Sequence, residues 1–321
     1  MRIGTRGSAL ALAQAHLVAE LLDARPSGPH PPTEVVTIAT AGDRDLASGE
    51  AGSQRRPPEA EVGGDKSRWV LELERALSAG EIDLAVHSAK DVPGELADGL
   101  ALFGAPERAA PEDVLCGTGG LEQLPPGARV GTSSVRRAAQ LRAAREDLEV
   151  VSMRGNVDTR LRKLREGGCD AIVLARAGLH RLGREEEIAA VLDPARFVPA
   201  PGQGILALEG RAADERTRKA VEAITDAAAF ASLRAERALA HTLGASCNTP
   251  LGAHAYDYGC GCLHLRAWVG LPDGSAWVGD ELLGGFYDPD ALGRRVAERL
   301  LSAGAGELLR QAEELAVAGR A

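Results

Sequence analysis

Three times along this chain a short apolar strand ends in a polar turn and passes at once into a helix, a repetition that demands an open α/β sheet with its turns on one edge. The first unit predicts a strand over 2–5, a Thr-Arg-Gly-Ser turn and a helix over 9–24, in which Leu10, Ala13, Leu17 and Leu21 recur at helical spacing. The second predicts a strand over 129–132, Ser133-Ser134, and a helix over 135–145. The third predicts a strand over 148–153, Arg154-Gly155-Asn156, and a helix to 166. Further strands are expected over 35–39, 83–87, 100–103 and 171–175. Gly4-Thr5 with Ala13-Gln14, set beside Gly131-Thr132 with Ala139-Gln140, hints at an internal duplication.

Such units place Ser, Thr and Arg at strand carboxyl ends, the edge where open α/β sheets bind ligands. The charge pattern says what kind of ligand. The chain is net −9, yet between Gly131 and Arg165 nine Lys or Arg face four Asp or Glu. An acidic protein that gathers cations at turns has something small and anionic to hold, and its overall sign argues against a nucleic-acid partner or an anionic membrane surface. Ser133-Ser134 and Thr159 can cap helices and offer donors to an anion, and the neighbouring guanidiniums match carboxylates bidentately. No Walker-type phosphate loop is present, so carboxylates are the better match.

At 321 residues, two or three domains are expected. No run reaches the roughly 18 apolar residues of a membrane span, and no signal-peptide pattern opens the sequence, so a cytoplasmic protein is expected. Five scattered cysteines argue against a disulfide framework. Cys116 and Cys169 read as packing residues, and Cys260, Cys262 and His264 fit zinc spacing poorly. Cys247 lies in a small-residue loop that can expose a nucleophilic thiol. The segment 46–64, rich in Gly, Ser, Pro and Glu, reads as a long surface loop. After Asp226 a long helix, alternating segments around Pro272-Asp273-Gly274 and closing helices suggest a separate α+β domain. Lys90-Asp91 ends an apolar strand just before Pro93, where Asp91 can act as acid or base or stabilise a developing cation.

Together GTRGSALALAQ (4–14), DLAVHSAKDVP (83–93), VGTSSVRRAAQL (130–141), MRGNVDTRL (153–161), AIVLARAGLHRLG (171–183), PAPGQGILALE (199–209) and the Cys247 loop resemble the porphobilinogen deaminase (hydroxymethylbilane synthase) family, in the family's order. The resemblance implies an α/β protein, with two periplasmic-binding-protein-like α/β domains and a third, smaller α+β domain. Their expected extents are 1–106 plus 200–224, 107–199, and 225–321. It implies a dipyrromethane cofactor attached to Cys247 by a thioether, and head-to-tail addition of four porphobilinogen units with loss of ammonia. It assigns catalysis to Asp91, and cofactor or substrate binding to Arg6, Ser8, Lys66, Lys90, Ser134, Arg136, Arg137, Arg154, Arg160 and Gln203. Metal and nucleotide are not called for, and a monomer is the default. Each pyrrole carries an acetate and a propionate, which suits the clustered guanidiniums.

The chain departs from the family at Gly63-Gly64-Asp65-Lys66-Ser67-Arg68-Trp69, where the usual loop is one residue shorter, and at Thr40-Ala41-Gly42-Asp43, which lacks a common arginine. Lys66 and Trp69 stand in for that loop's lysine and phenylalanine. Two other classes stay open: a carboxylate-binding protein or weakened paralogue on the same scaffold, and a thiol hydrolase pairing Cys247 with His241 or His254.

Overall fold

The computed structural model describes residues 1–24, 32–38, 65–245 and 249–318, with the side chains of 65–68 and 317–318 excepted. The 46–64 segment, Thr40 to Asp43 and Cys247 therefore lie outside the described residues. The backbone forms two compact units, Met1–Pro106 with Leu206–Asp226, and Glu107–Ile205 with Ala227–Ala321.

In the first unit a five-stranded sheet has the order β2-β1-β3-β10-β4, built from β1 (Arg2–Thr5), β2 (Glu34–Thr37), β3 (Leu84–Ser88), β4 (Leu100–Gly104) and β10 (Leu206–Arg211). β1 pairs in parallel with β2 and β3, whereas β10 runs antiparallel between β3 and β4. Strand alternation sorts the side chains. Leu84, Val86, Leu206 and Leu208 bury against Ala15, Val18 and Leu22 of α1 (Ala9–Asp23) and Val221 of α6 (Glu215–Glu222). Ala85 meets Leu73, Ala76 and Leu77 of α2 (Asp65–Ser78) on the other face. The sequence reading took Asp65 to Trp69 as part of a loop, but these residues form the first turn of α2.

The second unit contains a sheet of the same plan, β7-β6-β8-β5-β9, from β5 (Asp113–Gly117), β6 (Arg129–Gly131), β7 (Glu149–Val151), β8 (Ala171–Ala175) and β9 (Ala190–Val191). Again a first strand, β6, has its two successors in parallel beside it, and an antiparallel strand, β5, stands next to the edge. Leu115, Val130, Ala171 and Val173 pack with Leu141 of α3 (Val135–Ala144), while Val114, Ile172 and Leu174 pack with Leu161 of α4 (Val157–Arg165) and Leu179 of α5 (Arg176–Arg181). The suspected internal repeat falls on β1 with α1 and on β6 with α3, which hold the same place in the two sheets. Gly4 and Gly131 share a packing reason. A Cβ at Gly4 would sit 2.2 Å from Ile82 Cδ1, and one at Gly131 would sit 2.9 Å from Met153 Cε.

The unit's remaining sheet is an antiparallel meander of β11 (Leu251–Gly259), β12 (Cys262–Gly270) and β13 (Trp277–Gly285). Cys260 and Gly261, with φ of 53° and 74°, form the two-residue turn that links β11 to β12. α7 (Ala227–Thr242), α8 (Pro289–Ser302) and α9 (Ala305–Ala318) complete this part, and Leu239, Ala253, Leu263, Leu265, Val296 and Leu300 are fully buried in its core.

Candidate functional site

In the first unit β1 and β3 end side by side. The chain leaves β1 through Arg6 and Gly7, and Ser8 caps α1 by accepting from the Ala11 N–H at 3.3 Å. No acidic residue occupies the first turn of α1, so no side chain of that turn offsets the positive potential of its amide ends. β3 runs into one 3-10 turn, Ala89–Asp91, which carries both Lys90 and Asp91 half-buried. Arg6, Ser8, Gln14, Trp69, His87 and Asp91 help line a pocket of about 90 Å³ at these strand ends. The Arg6 guanidinium lies 3.6 Å from the centroid of the Trp69 ring, which holds it by cation–π attraction. Gln14 donates to Ser88 Oγ at 2.9 Å and so ties α1 to the end of β3. Arg6, Ser8 and Asp91 thus share one pocket, Lys90 stands on the same turn as Asp91, and the Lys66 side chain lies outside the described residues.

One buried pair at this site is absent from the sequence-based expectations. His87, in an otherwise apolar strand, meets Glu209 of β10 with Nε2 2.8 Å from Oε2, and the two are 5% and 0% exposed. The available signal was a lone histidine in DLAVHS and a lone glutamate in LALEG, two ionisable groups in segments otherwise fit for a sheet interior.

The second cluster is built around Asp113, the first residue of β5, which is wholly buried. Its Oδ1 accepts from Arg137 Nε at 2.9 Å, Arg137 Nη2 at 2.7 Å and Gln203 Nε2 at 2.8 Å, and its Oδ2 accepts from Arg136 Nη1 at 2.7 Å. Arg136 also donates to the Val198 carbonyl, and Arg137 to that of Val173. Burial alone would raise the Asp113 carboxyl, but the flanking guanidiniums hold it well below the usual carboxylate range. Burial lowers Arg136, and Arg137 adds to that while Asp113 opposes it. Two buried guanidiniums face one carboxylate, so this pair carries a surplus positive charge. Arg136 Nε is moreover a buried N–H with no hydrogen-bond partner among the described residues.

Ser134 caps α3, accepting from the Arg137 N–H at 3.4 Å, and no acid occupies that first turn. α4 corrects an expectation. Its cap is Asn156, whose side chain accepts from the Thr159 N–H at 2.9 Å, so Thr159 is capped rather than capping. The helix starts two residues before Thr159, where Asn156 has the extended backbone a cap requires. Arg154 is exposed just before that cap, and Arg160 is half-buried in α4. Cys116 and Cys169 are buried, and burial pushes the Cys116 thiol up to about 12, which makes it a poor nucleophile. Among the described residues no three His, Cys, Asp or Glu side chains are placed to hold a metal.

The family model described as "Porphobilinogen deaminase, dipyromethane cofactor binding domain" matches residues 1–219, and that described as "Porphobilinogen deaminase, C-terminal domain" matches 230–302. The chain belongs to the porphobilinogen deaminase family. Proteins named porphobilinogen deaminase from Roseiflexus castenholzii and Deinococcus radiodurans are 47% and 44% identical to it, over 96% and 97% of this chain and 98% of each relative. Another, from Stenotrophomonas maltophilia, is 46% identical over 96% of this chain and 98% of its own length. Solved structures lie further off. A periplasmic substrate-binding protein of an ABC transporter from Coxiella burnetii gives a TM-score of 0.41 at 15% identity, covering 70% of this chain and 91% of that one. A methionine-bound nutrient-binding protein from Burkholderia cenocepacia gives 0.40 at 11%, covering 69% and 90%. For this deaminase-family chain the strand orders given above, rather than those likenesses, define the fold.

Proposed function

We propose that this chain is a hydroxymethylbilane synthase, a transferase of porphyrin biosynthesis that joins four porphobilinogen units head to tail and releases the linear tetrapyrrole and ammonia. The observation that carries this reading is membership of the deaminase family along almost the whole chain. A carboxylate-binding protein without catalysis would leave the Asp91 pocket without a purpose.

The residues fit a dipyrromethane cofactor. Its acetate and propionate arms need cationic donors, and the second unit offers a buried guanidinium pair with one charge in excess and an orphaned Arg136 Nε. In this reading Arg136, Arg137, Ser134, Arg154, Arg160 and Gln203 bind carboxylate arms, joined by Arg6, Ser8, Lys66 and Lys90 of the first unit. Cys247 carries the thioether. When bound, the cofactor supplies the ring carbon on which the polymer begins. Asp91 stabilises the cationic pyrrole formed when a porphobilinogen unit loses its amine, by charge and by accepting from the ring N–H. A half-buried carboxylate at a strand end serves this purpose better than an exposed one, because water competes less for it.

We assign three domains on this basis, 1–106 with 200–224, 107–199 and 225–321, and a cytoplasmic monomer without nucleic-acid or membrane partners. No described helix is long and apolar enough to cross a membrane.

The test is direct. Supplied with porphobilinogen, the protein releases four ammonia per hydroxymethylbilane. Asp91→Asn keeps the covalent cofactor but loses at least about a hundredfold in turnover, the usual cost of removing a charge-stabilising group. Wild-type turnover by that variant contradicts the role given to Asp91.

A further inference from the structure

Each coupling leaves one proton to be removed. When the exocyclic carbon of one porphobilinogen unit bonds to the free ring α-carbon of another, that α-carbon still holds its hydrogen, and aromaticity returns only when the hydrogen leaves as a proton. Asp91, placed to stabilise the cationic ring, has its charge committed to a different task. Among the described residues that line the pocket one other group is suited to accepting a proton, and the proposed function gives it no role.

We propose that His87, oriented by Glu209, is the base that takes the ring proton in each coupling, an inference that rests on the function proposed above. His87 lines the same pocket as Asp91. Its Nε2 lies 2.8 Å from Glu209 Oε2, and because a carboxylate accepts, the proton of the neutral ring sits on Nε2 and Nδ1 keeps its lone pair. The carboxylate also supplies a counter-charge for the imidazolium that forms, in a setting where both side chains are almost wholly buried and the attraction is only weakly screened. Strand register makes the pair a fixed feature. Ala207 lies opposite His87 and Glu209 opposite Ala85, so histidine and glutamate are diagonal neighbours on the face covered by α2. The other groups near them are Glu74 of α2, whose carboxyl is raised chiefly by burial and secondarily by Glu209, and Arg6 and Asp91 in the pocket. Glu209 Oε1 is buried without a hydrogen-bond partner among the described residues, so the glutamate's hydrogen bonding is directed to His87 alone.

The chemistry balances. The α C–H bond breaks with its electron pair returning to the pyrrole, and the proton passes to Nδ1. The imidazolium then gives that proton to the ammonia released from the incoming unit, which departs as ammonium. The ring is neutral again for the next coupling.

The test uses the holoenzyme and porphobilinogen deuterated at its free α-carbon. His87→Gln is expected to lose about a hundredfold in kcat, the ordinary contribution of a general base, with KM changed less than about threefold. Deuterium should slow it in a primary isotope effect larger than that of the wild type. Glu209→Gln, which leaves the histidine in place with an uncharged partner, should show a smaller fall of the same kind. Independently of turnover, nitrogen NMR of labelled histidine should find the His87 proton on Nε2. Wild-type kcat in His87→Gln, a fall in kcat with no increase in the isotope effect, or a proton on Nδ1 each overturns the proposal and leaves the pair as a structural contact. If His87→Gln does not fold, Glu209→Gln decides by the same two readings. A wild type that does not consume porphobilinogen refutes the proposed function instead.

Discussion

Asp113 holds three of the side chains proposed to bind the ligand, Arg136, Arg137 and Gln203, and it does so from inside the protein. Asp113→Asn would leave two buried guanidiniums without a counter-charge, a loss of about 3–5 kcal/mol by the usual cost of breaking a buried pair. Urea unfolding should show a midpoint shifted accordingly, and intact mass should show a smaller cofactor-loaded fraction; unchanged values for both would mean that the pair does not depend on this carboxylate. The pH dependence has a definite sign. With its folded pKa depressed, Asp113 contributes its full stabilisation above the unfolded value of about 3.9 and loses it as pH falls below that. The variant should lack that part of the acid limb. None of this was legible in sequence, because Arg136, Arg137 and Gln203 are 23, 24 and 90 residues from Asp113. The His87–Glu209 pair spans 122. Ser134 was legible because a cap and its helix are consecutive.

Among the elements, β11 and β12 set a histidine beside cations. His254 faces Arg266 across the ladder, and burial first, then Arg108, Arg266 and His264, push its ring down to about 3. The folded protein keeps this ring neutral while the unfolded chain takes up a proton near its ordinary value. Stability is therefore lost as pH falls from about 6.5 toward 3, by up to about 1.4 kcal/mol per pH unit from this group. His254→Gln should flatten denaturant midpoints measured across that range, and an unchanged slope would remove His254 from the account. Strand–turn–helix units were readable at this scale because each is a continuous stretch of chain. β5 and β10 were not. Each is an antiparallel strand inserted by chain arriving from another part of the molecule; Glu209 interrupts the apolar run of β10, and β5 offers only Val114, Leu115 and Cys116 after its opening Asp113. α2 was not anticipated at all; its first turn, Asp-Lys-Ser-Arg, is polar and continues a glycine-rich segment that reads as loop.

At the scale of the whole molecule, two five-stranded sheets share one plan, and the second unit adds a three-stranded meander. A buried ion pair ties that second unit internally. Arg108 Nη1 donates to Glu236 Oε1 at 2.7 Å and to the Ala255 carbonyl at 2.9 Å, while Glu236 accepts from the Ala255 N–H at 2.7 Å. One carboxylate of α7 thereby fixes the segment entering β5 and the strand β11, which begins four residues after Cys247. In a protein of net −9, a polyanionic product chain can be held only where cations are concentrated locally, and both pockets of positive charge described above lie at helix starts free of acids. On the proposed function the chain built on this protein is anchored by sulfur. The most direct measurement is the intact mass of the purified protein beside that of Cys247→Ala. The wild type should exceed its sequence mass by two linked pyrrole units and the variant should match its own, whereas an unmodified wild type that still converts porphobilinogen would contradict the account.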